Sequence, residues 1–130
     1  MSGVALPELA RRLLDANVFV VLGTVNPDGA PQSSVIWAKR DGDEVVFSTI
    51  RGRRKTLNME RDPRVSLCAY DPVDPYHYIE IRGTVTLTED GGPDLIQELS
   101  MRYDGVRFTE SDPANVRVVC RVTPSRVIEG

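Results

Sequence analysis

Two tight turns, Asn26-Pro27-Asp28-Gly29 and Asp41-Gly42-Asp43, constrain this chain more than any other feature of it. Each lies between runs rich in β-branched and aromatic residues: 18–25 before the first, 30–39 between the two, and 44–49 after the second. Short glycine-containing turns join antiparallel neighbours, whereas parallel strands need long crossovers. Three antiparallel strands in succession follow, and a βαβ dinucleotide fold is excluded. The sequence also lacks G-x-G-x-x-G, a P-loop lysine motif, H-E-x-x-H and a G-x-S-x-G elbow.

The remaining elements fall into place around that meander. Leu6, Leu9, Ala10, Leu13 and Leu14 have the spacing of an amphipathic helix over 6–17, with Pro7 in its first turn. A short helix follows Gly52 and is stopped by Asp62-Pro63, and 64–70 reads as a fourth strand. Residues 71–75 form a proline-containing loop before a long fifth strand over 76–88, where Gly83 marks a bulge or sharp bend. Leu95, Ile96, Leu99 and Met101 place a helix over 94–103. The last strand is 116–122, and the tail from Pro124 is expected to add a short edge strand. Six antiparallel strands with short flanking helices amount to one mainly β domain over 1–130, a closed or partly closed barrel. A chain of this length buries a core without disulfides or metal.

The short helix is charged backwards. Arg53, Arg54 and Lys55 stand in its first turn, where the backbone dipole is positive, and Glu60 and Asp62 stand near its end. Each misplaced charge costs roughly 0.3–1 kcal/mol on an exposed helix. An anion bound at that end reverses the sign, because free N–H groups, the dipole and the cations then act on the same phosphate or carboxylate. Ser48 and Thr49, at the end of the preceding strand, add hydroxyls to the same place.

The net charge of −3 makes this basic run a local feature on an acidic background, which argues against nucleic acid and for a small anionic ligand. No apolar stretch has the length of a membrane span, and Glu8, Arg11, Arg12 and Asp15 are out of place in a signal peptide. A cytoplasmic location is the resulting expectation. Cys68 and Cys120 match no metal-ligand or redox spacing, and both lie in apolar strand-like runs, so they read as packing residues.

Taken in order, Asn26-Pro27-Asp28-Gly29-Ala30-Pro31-Gln32, Val45-Val46-Phe47-Ser48-Thr49, Gly52-Arg53-Arg54-Lys55-Thr56-Leu57-Asn58, Arg61-Asp62-Pro63-Arg64-Val65-Ser66-Leu67 and Glu80-Ile81-Arg82-Gly83-Thr84-Val85 form a recognisable series. It resembles the pyridoxamine 5′-phosphate oxidase-like split β-barrel superfamily. Within that superfamily it is most similar to the small flavin/deazaflavin oxidoreductases that use coenzyme F420. The resemblance implies a homodimer with two cofactor clefts between the subunits. It further implies that Gln32, Ser33, Ser34, Val35, Ile36 and Trp37 line the flavin or deazaflavin ring. Ser48, Thr49, Arg53, Arg54 and Lys55 would hold the phosphate, and Tyr76, His77 and Tyr78 would approach from the partner subunit.

The superfamily's flavin mononucleotide (FMN) oxidases generally carry an arginine on the strand that here spans 32–37, where this chain has no cation before Lys39. Arg51, Arg53, Arg54, Lys55 and Arg61 also supply more charge than one monophosphate needs, whereas a deazaflavin carries a phosphodiester and a polyanionic tail. Coenzyme F420 is therefore expected over FMN. The expected activity is hydride transfer from reduced coenzyme to a small unsaturated acceptor, with a non-catalytic F420- or haem-binding protein as the alternative. No general acid is obligatory for such chemistry; His77, the one histidine, is the candidate proton donor, and Trp37 is a candidate for stacking or interface packing.

Overall fold

The computed structural model describes residues 3–130. Its elements run α1 (Glu8–Asp15), β1 (Val20–Val25), β2 (Pro31–Ile36), β3 (Ala38–Asp41), β4 (Glu44–Ile50), α2 (Arg54–Arg61), β5 (Arg64–Tyr70), β6 (Tyr78–Thr88), α3 (Gly92–Tyr103) and β7 (Arg117–Glu129). The seven strands among the described residues make one sheet in the order β2-β1-β5-β6-β7-β4-β3, each pair antiparallel.

That order explains the shape. β2 and β3 are the two edges of the sheet, yet Trp37 alone separates them along the chain. The edges must therefore meet at Trp37, and the sheet curls into a split barrel. Ile36 and Ala38, two residues apart and hence on the same side of the backbone, are both buried in the core while the chain changes partners between them. The expectation of a single strand over 30–39 is corrected accordingly, to two strands and a total of seven rather than six among the described residues.

The tail is corrected as well. Residues from Pro124 add no separate edge strand; they extend β7, which pairs with β6 on both sides of a register shift at Arg82/Gly83. A Cβ at Gly83 would stand 2.4 Å from the carbonyl oxygen of Thr123, so the bulge demands glycine. Pro124 lies opposite that bulge, where its missing N–H is tolerated.

The barrel interior is filled by Leu22, Phe47, Leu67, Ile81, Val118, Cys120 and Val122, and capped by Leu6, Leu13 and Leu14 at the N-terminal end and Met59 of α2. Burial pushes the Cys120 thiol up to about 12, which leaves it inert, and both cysteines are free. A smaller cluster of Val46, Leu95 and Leu99 forms outside the barrel where α3 packs on β4, with Trp37, Tyr103 and Val119 at its rim. No helix among the described residues is long and apolar enough to cross a membrane.

Candidate functional site

The site begins where β4 ends. Gly52, at a left-handed φ of 91°, turns the chain out of β4, and α2 starts after Arg53 without a side-chain cap. Thr56 bolts the helix down by donating to the carbonyl of Ile50 at 2.7 Å. Its oxygen is 2.9 Å from that of Thr49. Strand alternation sorts the two hydroxyl residues that precede the turn. Ser48 projects from the outer face of β4 and lines a cleft, whereas Thr49 points into the interior and is 1% exposed. The expectation that Thr49 offers its side chain to a phosphate is thus corrected: its hydroxyl is spent on Thr56.

The cleft beside Ser48 has a volume of about 270 Å³. Val35, Ile36 and Trp37 form one wall; Arg53, Lys55 and Ser48 form the second; Ile96, Leu99, Phe108 and Arg117 complete it. The structure therefore joins one end of the 32–37 segment to the start of α2. Arg54 is one helical step round, about 100° away, and turns instead toward Asn26, Pro27, Asp28 and Gln32. Along β2, Gln32 accepts a hydrogen bond from Thr24 at 2.6 Å, Ser33 is exposed, and the Ser34 hydroxyl is enclosed without a partner among the described residues. Trp37 stacks on Tyr103 with ring centroids 5.4 Å apart and planes 15° from parallel.

Electrostatics separate the two ends of α2. Glu60 is paired with Arg51 at 3.1 Å, and Asp62 with Arg64 at 2.7 Å. Arg51 also reaches Glu89, and Arg61 donates to the carbonyl of Val25, so neither belongs to the cleft. Among the described residues, Arg53, Arg54 and Lys55 have no ion-pair partner. Burial, with Arg53 and Arg117 nearby, depresses the Lys55 pKa below its usual 10.5.

Arg117 is the functional residue that sequence reading missed. It lies on the outer face of β7, opposite Ile50 in the ladder, and its Nη1 is 3.5 Å from Ser48 Oγ. Only the β4–β7 register brings it there; nothing in its local sequence points to the cleft.

Tyr76, His77 and Tyr78 do not line this cleft within one protomer. Tyr76 is exposed, His77 sits 3.6 Å from Asp74 beside a hollow formed with Pro7, Glu8 and Arg12, and Tyr78 begins β6. No group of metal-ligating side chains occurs among the described residues.

A family model described as pyridoxamine 5′-phosphate oxidase matches residues 6–129. The chain belongs to the pyridoxamine 5′-phosphate oxidase family. Its fold is that of flavin- or deazaflavin-type oxidoreductases. A solved structure of an F420 reductase superposes with a TM-score of 0.84 at 35% identity, covering 95% of this chain and 98% of that one. A conserved hypothetical protein from Mycobacterium tuberculosis superposes at 0.78 with 22% identity, over 99% of this chain and 87% of that one, and speaks to the fold alone. The pyridoxine/pyridoxamine 5′-phosphate oxidase of Aeromonas hydrophila is 37% identical over 76 residues, 58% of this chain. The match spans 33% of the length of that family member.

Proposed function

We propose that this chain is an oxidoreductase that binds coenzyme F420 in the cleft between β2 and α2 and uses it to reduce a small unsaturated acceptor. The observation that carries this reading is the set of unpaired cations at an uncapped helix start, while the acids at the other end of α2 are neutralised. Helix N–H groups and three positive charges without partners fit a phosphate. Ser34 lies two residues from the core residue Ile36, opposite Leu22, and is absent from the cleft lining, so its enclosed hydroxyl is turned away from the proposed ligand. Coenzyme F420 is preferred over FMN because residues 32–37 carry no cation and because the F420 reductase likeness extends over nearly the whole chain. FMN is the second reading, favoured by the Aeromonas hydrophila oxidase stretch.

Bound there, the coenzyme supplies hydride donation to an electron-poor double bond. Arg53, Lys55 and Ser48 anchor the phosphate, and Arg54 extends the positive strip round the helix toward an anionic tail. Ile36 and the Trp37–Tyr103 stack make a stiff, apolar wall that orients the reacting face and excludes water. Tyr103 fixes that wall, since its hydroxyl receives the amide of Ala38 at 3.0 Å and reaches the carbonyl of Val18 at 2.8 Å. Within one protomer the lining residues include no carboxylic acid or histidine, so the proton that completes reduction is supplied by solvent or by a side chain from the second copy.

The cleft is smaller than the roughly 300–1,000 Å³ of complete ligand pockets, which supports a homodimer in which a second copy finishes the site. Tyr76, His77 and Tyr78 would then contribute from across the interface. His77 is a surface-loop residue, and its setting does not favour haem ligation.

Equilibrium binding of F420 and FMN to the purified protein, measured side by side, tests the assignment. Tighter binding of F420, followed by acceptor-dependent oxidation of reduced F420 with a panel of enones and imines, is the expected result. Failure to bind either coenzyme sinks the reading.

A further inference from the structure

The loop between α3 and β7 carries an acid that the reading above leaves unused. Phe108 is pinned to α3 by a reciprocal pair of bonds: Gln97 Nε2 donates to its carbonyl at 2.8 Å, and its amide donates to Gln97 Oε1 at 3.0 Å. The Arg117 guanidinium lies 4.7 Å over the Phe108 ring. Glu110 then grips one edge of that guanidinium with both oxygens, at 2.6 Å from Nε and 3.1 Å from Nη2, and accepts a further bond from Asn115 at 3.2 Å. The remaining nitrogen, Nη1, faces Ser48 in the cleft. The pair is well covered, with side-chain exposures of 10% for Arg117 and 26% for Glu110. Arg53 also acts on the Glu110 carboxylate, which places the acid within the field of the cleft's cations.

We propose that Glu110 is a specificity-determining residue that tilts the cleft toward a singly charged phosphodiester and away from a doubly charged phosphomonoester. The inference rests on the proposed cofactor cleft and concerns the charge of the phosphate it accepts. Glu110 consumes the charge of Arg117 and leaves a fixed carboxylate one guanidinium away from the phosphate position. Coulomb energy scales with the product of the charges, so this carboxylate opposes a dianion twice as strongly as a monoanion. A phosphomonoester, with a second pKa near 6, is a dianion at pH 8; a diester stays a monoanion. The helix start alone, with Arg53, Arg54 and Lys55, attracts the dianion more strongly by the same scaling, so the opposing bias has to come from an acid.

The test compares FMN with its phosphate methyl ester, two flavins that differ in one charge, at pH 8, with F420 as the third ligand. Dissociation constants are measured for the wild-type protein, Glu110→Gln, Glu110→Asp and the charge control Asp41→Asn, whose parent acid pairs with Arg121. In Glu110→Gln the affinity for FMN relative to its methyl ester is expected to rise roughly ten-fold, as one unit charge at cleft distances implies. Glu110→Asp and Asp41→Asn are expected to keep the wild-type ratio. A ratio unchanged in Glu110→Gln, or moved equally by Asp41→Asn, overturns the proposal. Binding of F420 with no binding of either flavin also overturns it while leaving the deazaflavin reading intact. Absence of binding by all three removes both.

Discussion

Thr49 and Thr56 share a buried hydrogen bond, Oγ1 to Oγ1 at 2.9 Å, that joins the end of strand β4 to the first turn of α2. Thr56 gives its own proton to the carbonyl of Ile50, so Thr49 is the donor in the shared bond. Both side chains are essentially inaccessible to water. The start of the cationic helix is therefore held by a two-link chain and not by a conventional capping side chain.

Thr56→Val keeps the shape and removes both links, leaving the Thr49 hydroxyl buried without a partner and the Ile50 carbonyl with only the Arg53 amide at 3.3 Å. A loss of about 1–3 kcal/mol is expected, read from urea unfolding. Weaker phosphate binding should accompany it, because the helix start loses its fixed position. Unchanged stability would mean that the two groups find other partners.

The three basic residues should not be equivalent. Arg53→Ala with Lys55→Ala removes both cations that line the cleft, whereas Arg54→Ala removes one that faces Asn26 and Gln32. Isothermal titration with FMN or F420 is expected to show a loss of ten-fold or more for the double variant and a smaller loss for Arg54→Ala. Stability of the coenzyme-free protein should stay within about 0.5 kcal/mol, or rise slightly as the conflict with the helix dipole is relieved. Equal affinities across all three proteins would dissolve the site.

Lys55 makes a pH signature. Its pKa is lowered in the folded state, so the unfolded chain binds the proton more tightly. The resulting penalty on stability is fully present below the folded-state pKa. It fades as pH rises from there toward 10.5. Lys55→Met removes this titration: denaturant midpoints of wild type and variant should converge on the alkaline side. Phosphate binding runs the other way, being strongest with Lys55 charged and weakening over the same alkaline window. Parallel midpoint curves would contradict the burial of the amine.

Tyr103 supports the Trp37 wall at its far side, and burial raises its phenol pKa. Tyr103→Phe retains the stack but leaves the amide of Ala38 and the carbonyl of Val18 short of a partner. About 1–3 kcal/mol of stability should be lost, with a change in the fluorescence of Trp37, the one tryptophan. An unaltered emission spectrum together with native stability would argue that the wall stands without the hydroxyl.

Local chemistry determined the elements of this protein, and it did so from the residues alone. The turn at Asn26-Pro27-Asp28-Gly29 and the stop at Asp62-Pro63 act over a few residues, where backbone sterics dominate, whereas Gly83 marks its bulge in the sequence but is required there by Thr123 of the neighbouring strand. The reversed charge of α2 belongs with the turn and the stop, since a helix dipole is a local property. What required the tertiary structure was every relationship between residues distant along the chain. Trp37 looks like mid-strand sequence, because nothing nearby reveals that the two edges of the sheet meet at it. Alternation distinguishes Ser48 from Thr49 only once the inner face of β4 is known, and Arg117 joins the cleft only through the β4–β7 register. Strand pairing is a choice among many partners of similar intrinsic preference, settled by burial of the whole barrel at once. That is why the cationic helix could be read in advance and the full outline of its cleft could not.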